Sequence, residues 1–244
     1  MLDVEGIQVQ YGRITAVRDA SFRVDKGEIV TLVGPNGAGK STTMMAIAGA
    51  LAPSQGTIRL DGQSIIGKSP ETIARLGLSF VPEGRHVFAQ LTVNENIRLG
   101  SDMRKDRENI EPDFERVVGY FPFLRERLGT PGGKLSGGEQ QQLVIARALM
   151  TRPRIILIDE PSLGLGPIIV DRVYDILRTL RQEGITLVVV EQSTHRALEN
   201  ADRVYVMRSG RIVLHGHSKD LTDKELERAY FGFADDKAKA QAHF

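Results

Sequence analysis

Residues 31–43 read TLVGPNGAGKSTT, and this stretch decides the fold. The apolar run EIVTLVG leads into it and the helix-forming run MMAIAGAL follows it, which predicts a strand, a glycine-rich loop and a helix in that order. Residues 34–41, GPNGAGKS, match the spacing G-x-x-x-x-G-K-[ST] in full. A plain glycine-rich turn has a similar composition, but the strand before it and the helix after it are the context that this phosphate-binding loop (P-loop) requires.

The chemistry of the P-loop indicates a nucleoside triphosphate. Its glycines let backbone amides turn inward around phosphate oxygens. The Lys40 ammonium pairs with the β and γ phosphates, and the Ser41 hydroxyl coordinates Mg²⁺. The predicted nucleotide-binding residues of this stretch are Gly34, Pro35, Asn36, Gly37, Ala38, Gly39, Lys40, Ser41 and Thr42.

The composition of the 244 residues limits the possible functions. With 41% hydrophobic and 26% charged residues, the chain can bury a sizeable core, either as one large α/β domain or as a core with a helical insertion. A formal net charge of +1 without a clustered basic run disfavours nucleic acid as a partner. The absence of cysteine excludes disulfides and thiolate metal sites and makes the cytoplasm the default location. The N-terminus has no signal pattern and no run reaches the ~18 apolar residues that cross a bilayer, so work at a membrane would be done from its surface.

The remaining apolar runs predict an α/β fold, in which the P-loop belongs to a core of mainly parallel sheet and an antiparallel β region lies near the N-terminus. Further strand candidates are GTIRLDG, GLSFVPE, RIILIDE, ITLVVVE, DRVYVM and GRIVLHG, and helical stretches such as 167–182 separate the later ones. Residues 93–150 are charged and helical without a strand signal, which predicts a helical subdomain inserted between two parts of the core, 1–92 and 151–233. We expect the whole chain to form a single domain, with 234–244 as a loose tail.

Residues 154–160, RIILIDE, are an apolar strand that ends in two carboxylates. The end of a strand is where α/β sheets place ligand chemistry, so we expect Asp159 to organise Mg²⁺. Because side chains alternate along a strand, Glu160 points elsewhere and is free to orient or polarise an attacking water. A pair of solvated acids at a strand end is the alternative, and the P-loop in the same chain argues against it.

Residues 134–150, KLSGGEQQQLVIARALM, predict a helix with an unusual first turn. Ser136, two spacer residues and Glu139 form a capping box, which is all that a helix start requires. Glycine is nevertheless a costly choice in a first turn, and bare amides at Gly137 and Gly138 beside the positive helix end make a ready anion site. From these residues alone, a plain helix start and an anion site are both open.

Tyr11, in the stretch QYGR, is an aromatic residue before a glycine. Such a residue serves in a turn or in packing as readily as in stacking on a nucleotide base. The local sequence leaves both uses open.

Several motifs in the same order resemble those of the ATPase subunits of ABC transporters, and the likeness covers nearly the whole chain. They are Tyr11, GPNGAGKS, VPEGR, LSGGEQQ, IILIDEPSLGLGP and VVVEQ. Within that family, VPEGRHVF, LTVNENI, GGEQQ, DEPSLGL and VVVEQ look most like one of the two ATPase subunits of branched-chain amino acid importers.

The resemblance implies a shared nucleotide site. In that family the amides of the LSGGEQQ signature, here Ser136, Gly137 and Gly138, cap the γ-phosphate of ATP bound to the other subunit's P-loop. Two ATPase subunits would then close head to tail around two ATP molecules and move two integral-membrane permeases. An extracytoplasmic substrate-binding protein would act indirectly. The chain would be a cytoplasmic subunit, peripheral on the inner face of the plasma membrane, and Tyr11 would stack on adenine.

Three positions depart from the wider family's pattern. Glu83 stands where most members carry a glutamine that approaches Mg²⁺ and senses the membrane subunits, and a carboxylate can still ligate the metal. Gln192 stands where most carry a switch histidine at the γ-phosphate, and an amide cannot carry a proton as imidazole does. Glu139 stands where glutamine is commoner. His195, three residues after Gln192, is expected to be an exposed residue at a helix start, and Glu160 keeps hydrolysis the favoured activity.

The leading functional hypothesis is ATP hydrolysis that energises import of branched-chain amino acids. An importer of urea or short amides is the first alternative, because such importers use similar ATPase subunits. A soluble ABC ATPase that clamps DNA or ribosomes is another, although the sequence has no tandem ATPase domain, long coiled coil or basic arm. Glu83 and Gln192 keep open a third, a regulatory ATP-binding module with little turnover.

Residues 84–99, GRHVFAQLTVNENIRL, resemble the family's groove that receives the coupling helices of the permeases. The apolar side chains of Val87, Phe88 and Leu91 fit such a groove and fit an ordinary core equally well.

Overall fold

The computed structural model describes residues 1–233, so the expected loose tail over 234–244 lies outside the described residues. The strands are β1 (Leu2–Tyr11), β2 (Ile14–Val24), β3 (Ile29–Val33), β4 (Gln55–Leu60), β5 (Gln63–Ser64), β6 (Leu78–Val81), β7 (Ile155–Asp159), β8 (Thr186–Glu191), β9 (Arg203–Arg208) and β10 (Arg211–His217). The helices are α1 (Lys40–Ile47), α2 (Pro70–Arg75), α3 (Val93–Leu99), α4 (Ile110–Tyr120), α5 (Pro122–Glu126), α6 (Gly137–Leu149), α7 (Pro167–Gln182), α8 (Thr194–Asn200) and α9 (Asp223–Phe231). Short 3₁₀ turns lie at Arg107–Asn109, Gly132–Lys134 and Ser218–Asp220.

The strands form one sheet in the order β5-β4-β1-β2-β10-β9-β3-β8-β7-β6. From β9 to β6 the neighbouring strands are parallel, whereas β1, β2, β4 and β5 pair antiparallel. Strand β10 pairs antiparallel with β9 and joins the two parts through one parallel pair, Arg211 opposite Asp19. The predicted parallel core with an antiparallel N-terminal region is confirmed.

Strands β3, β7 and β8 lie at the centre of the parallel core because they are apolar on both faces. Every residue of IVTLV, IILID and TLVVVE is buried, which is typical of strands covered by helices on two sides. Leu187 and Val189 of β8 join the hydrophobic cluster that includes α6 and α7, while Val188 and Val190 join the cluster that includes α1. Each fully buried valine or leucine side chain contributes about 1.5–3 kcal/mol. The carboxyl ends of these strands meet at one edge, where such sheets bind ligands.

Residues 93–150, all of them described, contain α3 to α6 and no strand. Helix α6 is almost wholly buried beyond its first turn and contacts α3, α4, α7 and β6. The close contact between α3 and α6 depends on Gly100, directly after α3. An added Cβ at Gly100 would lie 2.0 Å from the Arg147 carbonyl oxygen of α6. The helical character of the segment is as predicted, while the boundaries of an inserted subdomain stay a prediction.

The elements that were not predicted include the six-residue helix α2 and the two-residue strand β5. Both are too short to show a hydrophobic period. Helix α7, in contrast, begins and ends where the sequence predicted. Among residues 1–233, no helix has both the length and the apolar composition that a bilayer crossing requires.

Candidate functional site

The P-loop joins β3 to α1. Two of its positions must be glycine because the loop backbone passes very close to neighbouring strands. A Cβ at Gly34 would lie 2.1 Å from the Met207 carbonyl oxygen, so the loop passes against β9. Gly39 has φ +104°, and a Cβ there would lie 2.7 Å from the Ala16 carbonyl oxygen. Any other residue at either position would push the loop out of its place between the strands.

Lys40 is a buried cation at the mouth of the loop. Its side chain is 4% exposed, and Nζ donates to the carbonyl oxygens of Gly34 at 2.7 Å and Pro35 at 3.1 Å. The same Nζ lies 3.8 Å from Glu160 Oε1. Burial lowers the pKa of Lys40, and the charges of Glu160 and Asp159 oppose that shift. The loop therefore holds a positive charge at the cavity, and its pairing with the β and γ phosphates stays a prediction.

A cavity of about 440 Å³ opens over the P-loop. Its lining residues are Asn36, Gly37, Ala38, Gly39, Lys40, Ser41, Thr42, Glu83, Glu160, Leu163 and Gln192. Gly34 and Pro35 are not part of this lining, and their carbonyl oxygens accept hydrogen bonds from Lys40 Nζ. The volume is within the range of small-ligand sites, and the wall combines loop amides with a cation and two acids.

Asp159 is the buried acid of the site. It is 3% exposed, its Oδ1 has no hydrogen-bond partner, and burial raises its pKa to about 6. The Ser41 hydroxyl opposes that rise in pKa, while the charges of Glu160 and Glu83 add to it. An acid with an unused oxygen beside a hydroxyl and further carboxylates fits a hard divalent cation.

The donor set fits Mg²⁺ better than a metal held by protein alone. Within residues 1–233 no group of three or more His, Cys, Asp or Glu side chains is arranged to hold a metal ion. The site offers three ligand groups for a metal ion, the carboxylates of Asp159 and Glu83 and the hydroxyl of Ser41. Mg²⁺ takes the rest of its octahedron from waters and substrate phosphates, so this partial set suits it.

Glu160 is positioned by both its backbone and its side chain. Its φ is +49°, and its amide donates to the Val190 carbonyl oxygen at 3.0 Å. Its carboxylate is 8% exposed and accepts a short hydrogen bond from Gln192 Nε2. Burial raises the pKa of Glu160, while Gln192 and Lys40 oppose the rise. A carboxylate with raised pKa on the cavity wall can accept a proton from water.

The structure places Tyr11 at the rim of the site. Its ring is 45% exposed, and its hydroxyl lies 3.5 Å from Thr42 Oγ1, next to the cavity. His195 is the second residue of α8 and is exposed, 4.0 Å from Glu199, so it stands away from the cavity lining.

The signature turn (residues 136–139) forms the capping box that the sequence predicted. Ser136 Oγ accepts from the Glu139 amide at 3.4 Å, and Glu139 Oε2 accepts from the Ser136 amide at 2.7 Å. Gly137 and Gly138 follow as the first residues of α6, where an α-helix leaves amides without intrahelical partners. None of these residues lines the P-loop cavity. The structure therefore does not bring the signature turn and the P-loop of one chain together.

Both glycines of the signature turn also contact side chains of their own chain, which the sequence did not show. A Cβ at Gly137 would lie 2.3 Å from Arg85 Nη1, and one at Gly138 would lie 2.5 Å from Ile169 Cγ2. Arg85, with φ +65°, also donates to the Leu163 carbonyl oxygen at 3.4 Å. Arg85 thus connects the segment after β6 with the signature turn and with the loop after Glu160.

A second cavity, of about 360 Å³, lies between β6 with the segment after it and helices α3 and α6. We call it the docking groove; it is lined by Ser79, Phe80, Val81, Pro82, Phe88, Leu99, Gly100, Val144, Arg147, Ala148 and Thr151. Of the three apolar residues expected here or in a core, Phe88 lines the groove and is 53% exposed. Val87 is partly buried against the core, and Leu91 is partly buried outside the lining.

Comparison with known proteins gives a consistent result. The family model described as ABC transporter matches residues 17–163. The chain is 45% identical over 233 residues to the high-affinity branched-chain amino acid transport ATP-binding protein BraG of Pseudomonas aeruginosa, covering 95% of this chain and 100% of that protein. It is 33% identical over 237 residues to the lipopolysaccharide export ATP-binding protein LptB of Haemophilus influenzae, covering 95% and 97%. A crystal structure of a nucleotide-free ATP-binding cassette from an ABC transporter aligns with TM-score 0.83 and 26% identity, over 97% of this chain and 96% of that one.

Proposed function

The chain belongs to the ABC transporter family of ATPases, and from that premise we propose that it binds and hydrolyses ATP to energise import of branched-chain amino acids. The observation that carries the substrate class is the 45% identity over 95% of the chain to a branched-chain amino acid transport ATPase. The lipopolysaccharide export relative, aligned over the same share of the chain, reaches only 33%. The fold and the P-loop cavity support ATP binding independently of either relative.

The P-loop cavity fits ATP with Mg²⁺. Amides of residues 36–42 surround the triphosphate and the Lys40 ammonium exchanges its two carbonyl partners for phosphate oxygens, which are stronger, charge-assisted acceptors. Ser41, Asp159 and Glu83 would hold the metal, with the unpartnered Asp159 oxygen as its buried ligand. When bound, Mg²⁺ would neutralise the negative charge that develops on the β and γ phosphates.

Hydrolysis rests on Glu160. Its carboxylate lies on the cavity wall, and it orients a water and accepts its proton as that water attacks the γ-phosphate. Gln192 donates to the same carboxylate and fixes its direction, and its amide can donate to phosphate oxygen but cannot shuttle a proton. Gln192 therefore acts as a catalytic residue by orienting the Glu160 carboxylate and stabilising charge on the phosphate. A histidine at the same position could also transfer a proton.

ATPases of this family work as dimers together with membrane permeases. In the head-to-tail arrangement that we propose, Ser136 and the amides of Gly137 and Gly138 contact the γ-phosphate of ATP on the other subunit. The separation of the signature turn from the P-loop cavity of the same chain supports this arrangement. A helix N-terminus with bare amides is suited to that phosphate.

The docking groove is the proposed contact with the permeases. Phe88 offers an exposed aromatic surface on one wall, and the Arg147 guanidinium lies over its ring at 5.1 Å. Arg147 Nη1 is buried without a hydrogen-bond partner. A cytoplasmic helix that brings an apolar side chain to Phe88 and a carboxylate to the accessible part of the Arg147 side chain would fit this groove. Such contact would hold the chain at the inner face of the plasma membrane.

Glu160→Gln in the assembled transporter tests the proposed function. We expect ATP affinity to stay within about twofold while hydrolysis falls roughly 10²–10⁴-fold, because the amide keeps the shape and loses the basicity. If the two ATPase subunits differ, hydrolysis is measured with the other site disabled. Uptake of labelled leucine into vesicles should fall in parallel.

The rival functions give different results in the same vesicles. Uptake of urea or acetamide without leucine would assign the transporter to amides. Wild-type hydrolysis in Glu160→Gln would remove the assigned role of that residue, and negligible hydrolysis by the wild-type complex would favour a regulatory ATP-binding module.

A further inference from the structure

A buried carboxylate next to the nucleotide site has no part in the chemistry described above. Glu191 ends β8, directly before Gln192, and is 2% exposed. It lies at the meeting point of three elements, through Tyr174 of α7, Ser162 of the loop after Glu160, and α8. A buried carboxylate is costly unless its oxygens are hydrogen-bonded, so its partners indicate what it does.

The two oxygens of Glu191 have separate partners. The Tyr174 hydroxyl donates to Oε1 at 2.5 Å, and the Ser162 hydroxyl donates to Oε2 at 3.1 Å. Ser162 in turn accepts from Arg196 Nη1 at 3.0 Å, so its single proton is committed to Glu191. Burial and the Glu191 charge raise the pKa of Tyr174 well above its usual value, which keeps the phenol a neutral donor.

Ser162 belongs to the tight loop that carries Glu160. The Leu163 amide donates to the Glu160 carbonyl oxygen at 3.2 Å, and the Leu165 amide donates to the Ser162 carbonyl oxygen at 3.2 Å. Glu160 itself has the unfavourable φ of +49°. A residue in that region persists only where its surroundings hold it there. The hydrogen bond from Ser162 to Glu191 is one such restraint, two residues after Glu160.

We propose that Glu191 is a positioning residue for ATP hydrolysis. It fixes the loop after Glu160 through Ser162, and it is joined through the chain to Gln192, whose amide fixes the Glu160 carboxylate. Glu191 thereby sets the place of both groups relative to the γ-phosphate without touching it. This inference rests on the proposed role of Glu160.

Glu191→Gln tests the proposal with little change in shape. Its amide offers one acceptor oxygen and one NH₂ group to two hydroxyls, so Tyr174 and Ser162 compete for the single acceptor. We expect kcat to fall roughly tenfold, since small misplacement of catalytic groups has large effects on rate. ATP affinity and KM should stay within about twofold, because Lys40 and the loop amides are unchanged. Amide hydrogen exchange in residues 161–166 should become faster.

Glu28→Gln is the matched control. Glu28 is also a buried carboxylate, at the start of β3 and so at the opposite edge of the sheet, where it accepts from the Asp25 amide and pairs with Arg203. We expect Glu28→Gln to lower the midpoint temperature of thermal unfolding. Its kcat and the amide hydrogen exchange in residues 161–166 should match those of the wild type.

Two double variants separate positioning from a merely structural role. In Glu191→Gln with Tyr174→Phe, the amide oxygen is free to accept from Ser162, so kcat should recover to within about threefold of the wild type. In Glu191→Gln with Ser162→Ala, the oxygen accepts from Tyr174 instead, and kcat should stay low even where stability recovers. Equal recovery of kcat in both double variants, or a kcat that follows only the folded fraction, would overturn the proposal.

Single variants cover the case in which Glu191→Gln does not fold. Ser162→Ala should lower kcat and speed exchange in residues 161–166, whereas Tyr174→Phe should leave kcat within about twofold. Wild-type kcat in Ser162→Ala would contradict the proposal. These results are distinct from a failure of the proposed function. If Glu160 did not have its proposed role, Glu160→Gln would retain hydrolysis, whatever the Glu191 variants do.

Discussion

Arg147 is a partly buried cation whose hydrogen bonds are incomplete. Its Nη2 donates to the His86 carbonyl oxygen at 2.9 Å, while Nη1 has no partner. Burial lowers the pKa of Arg147, although a guanidinium remains charged at any physiological pH. Because the side chain lines the docking groove, its positive charge can pair with a carboxylate from outside the chain.

At the scale of this residue, Arg147→Glu should prevent the subunit from binding the permeases. Reversing the charge sets two carboxylates against each other, a change worth roughly 2–5 kcal/mol in a buried pair. We expect the permeases to be lost when the variant is purified from membranes, with ATP affinity of the subunit within about twofold. Arg172→Glu, on the exposed face of α7, is the control and should retain them. Full recovery of the permeases with Arg147→Glu would show that the groove does not carry the docking.

The positions and local contacts of residues were predictable where short spacing defines them. Lys40 and Ser41 follow from one motif, and the capping box of Ser136 follows from a glutamate three residues further on, at Glu139. The contacts of Arg85 and Glu191 were not predictable, because their partners lie far away in sequence. The only local signal for Glu191 is a charged residue at the end of an otherwise apolar strand.

At the scale of elements, the contact between α3 and α6 depends on a missing side chain. A Cβ at Gly100 would lie 2.0 Å from the Arg147 carbonyl oxygen and 2.8 Å from Met150 Cβ. Backbone oxygen cannot move aside without displacing α6, so the two helices would have to separate. Gly100 has φ −62°, which any residue adopts, so the cost of a substitution there is steric.

Gly100→Ala should therefore destabilise the protein by about 1–3 kcal/mol, the usual cost of overpacking. Gly119→Ala is the matched control, because Gly119 lies in α4 with nothing within 4 Å of an added Cβ. That control should stabilise the protein by about 0.5–1 kcal/mol through helix propensity. Urea unfolding of both variants measures the two differences, and equal effects would show that α3 and α6 do not need the close approach.

Elements were predictable in proportion to their burial and length. Strands β3, β7 and β8 read as unbroken apolar runs because both of their faces are covered, and α7 shows a full amphipathic period. Element α2 is held by a Ser69 cap and one buried isoleucine, Ile73, which is too little pattern to recognise in advance. The strand order could not be predicted from the sequence, since neighbours such as β3 and β8 are far apart along the chain.

At the scale of the whole molecule, the sheet gathers the site from distant parts of the sequence. Lys40 after β3, Asp159 at the end of β7 and Gln192 after β8 reach one edge because these parallel strands end there together. Tyr11, at the end of β1, lies beside the P-loop through Thr42. The signature turn begins α6 and stays outside that cavity. One chain thus contains a nucleotide site and, elsewhere on its surface, a turn suited to another chain's phosphate.

Gly138→Asp tests whether that turn serves a second subunit. The aspartate puts a negative charge where the partner's γ-phosphate should arrive, and like charges brought together cost several kcal/mol. We expect the isolated variant to bind ATP with near wild-type affinity through Lys40, Ser41 and Tyr11, while ATP-dependent association of subunits fails. In a complex with a wild-type partner, the damaged site should be the one built on the partner's P-loop.

Gly138→Ala is the control that separates charge from packing. Both substitutions bring a Cβ to about 2.5 Å from Ile169 Cγ2, so both disturb the same contact within the chain. Only the aspartate repels a phosphate, and association should therefore be weakened far more by aspartate than by alanine, most clearly at low salt. Equal loss with both variants would assign the defect to Ile169 packing. A large loss of ATP affinity in the isolated Gly138→Asp subunit would mean that the signature turn binds nucleotide within its own chain, and the head-to-tail arrangement would then be wrong.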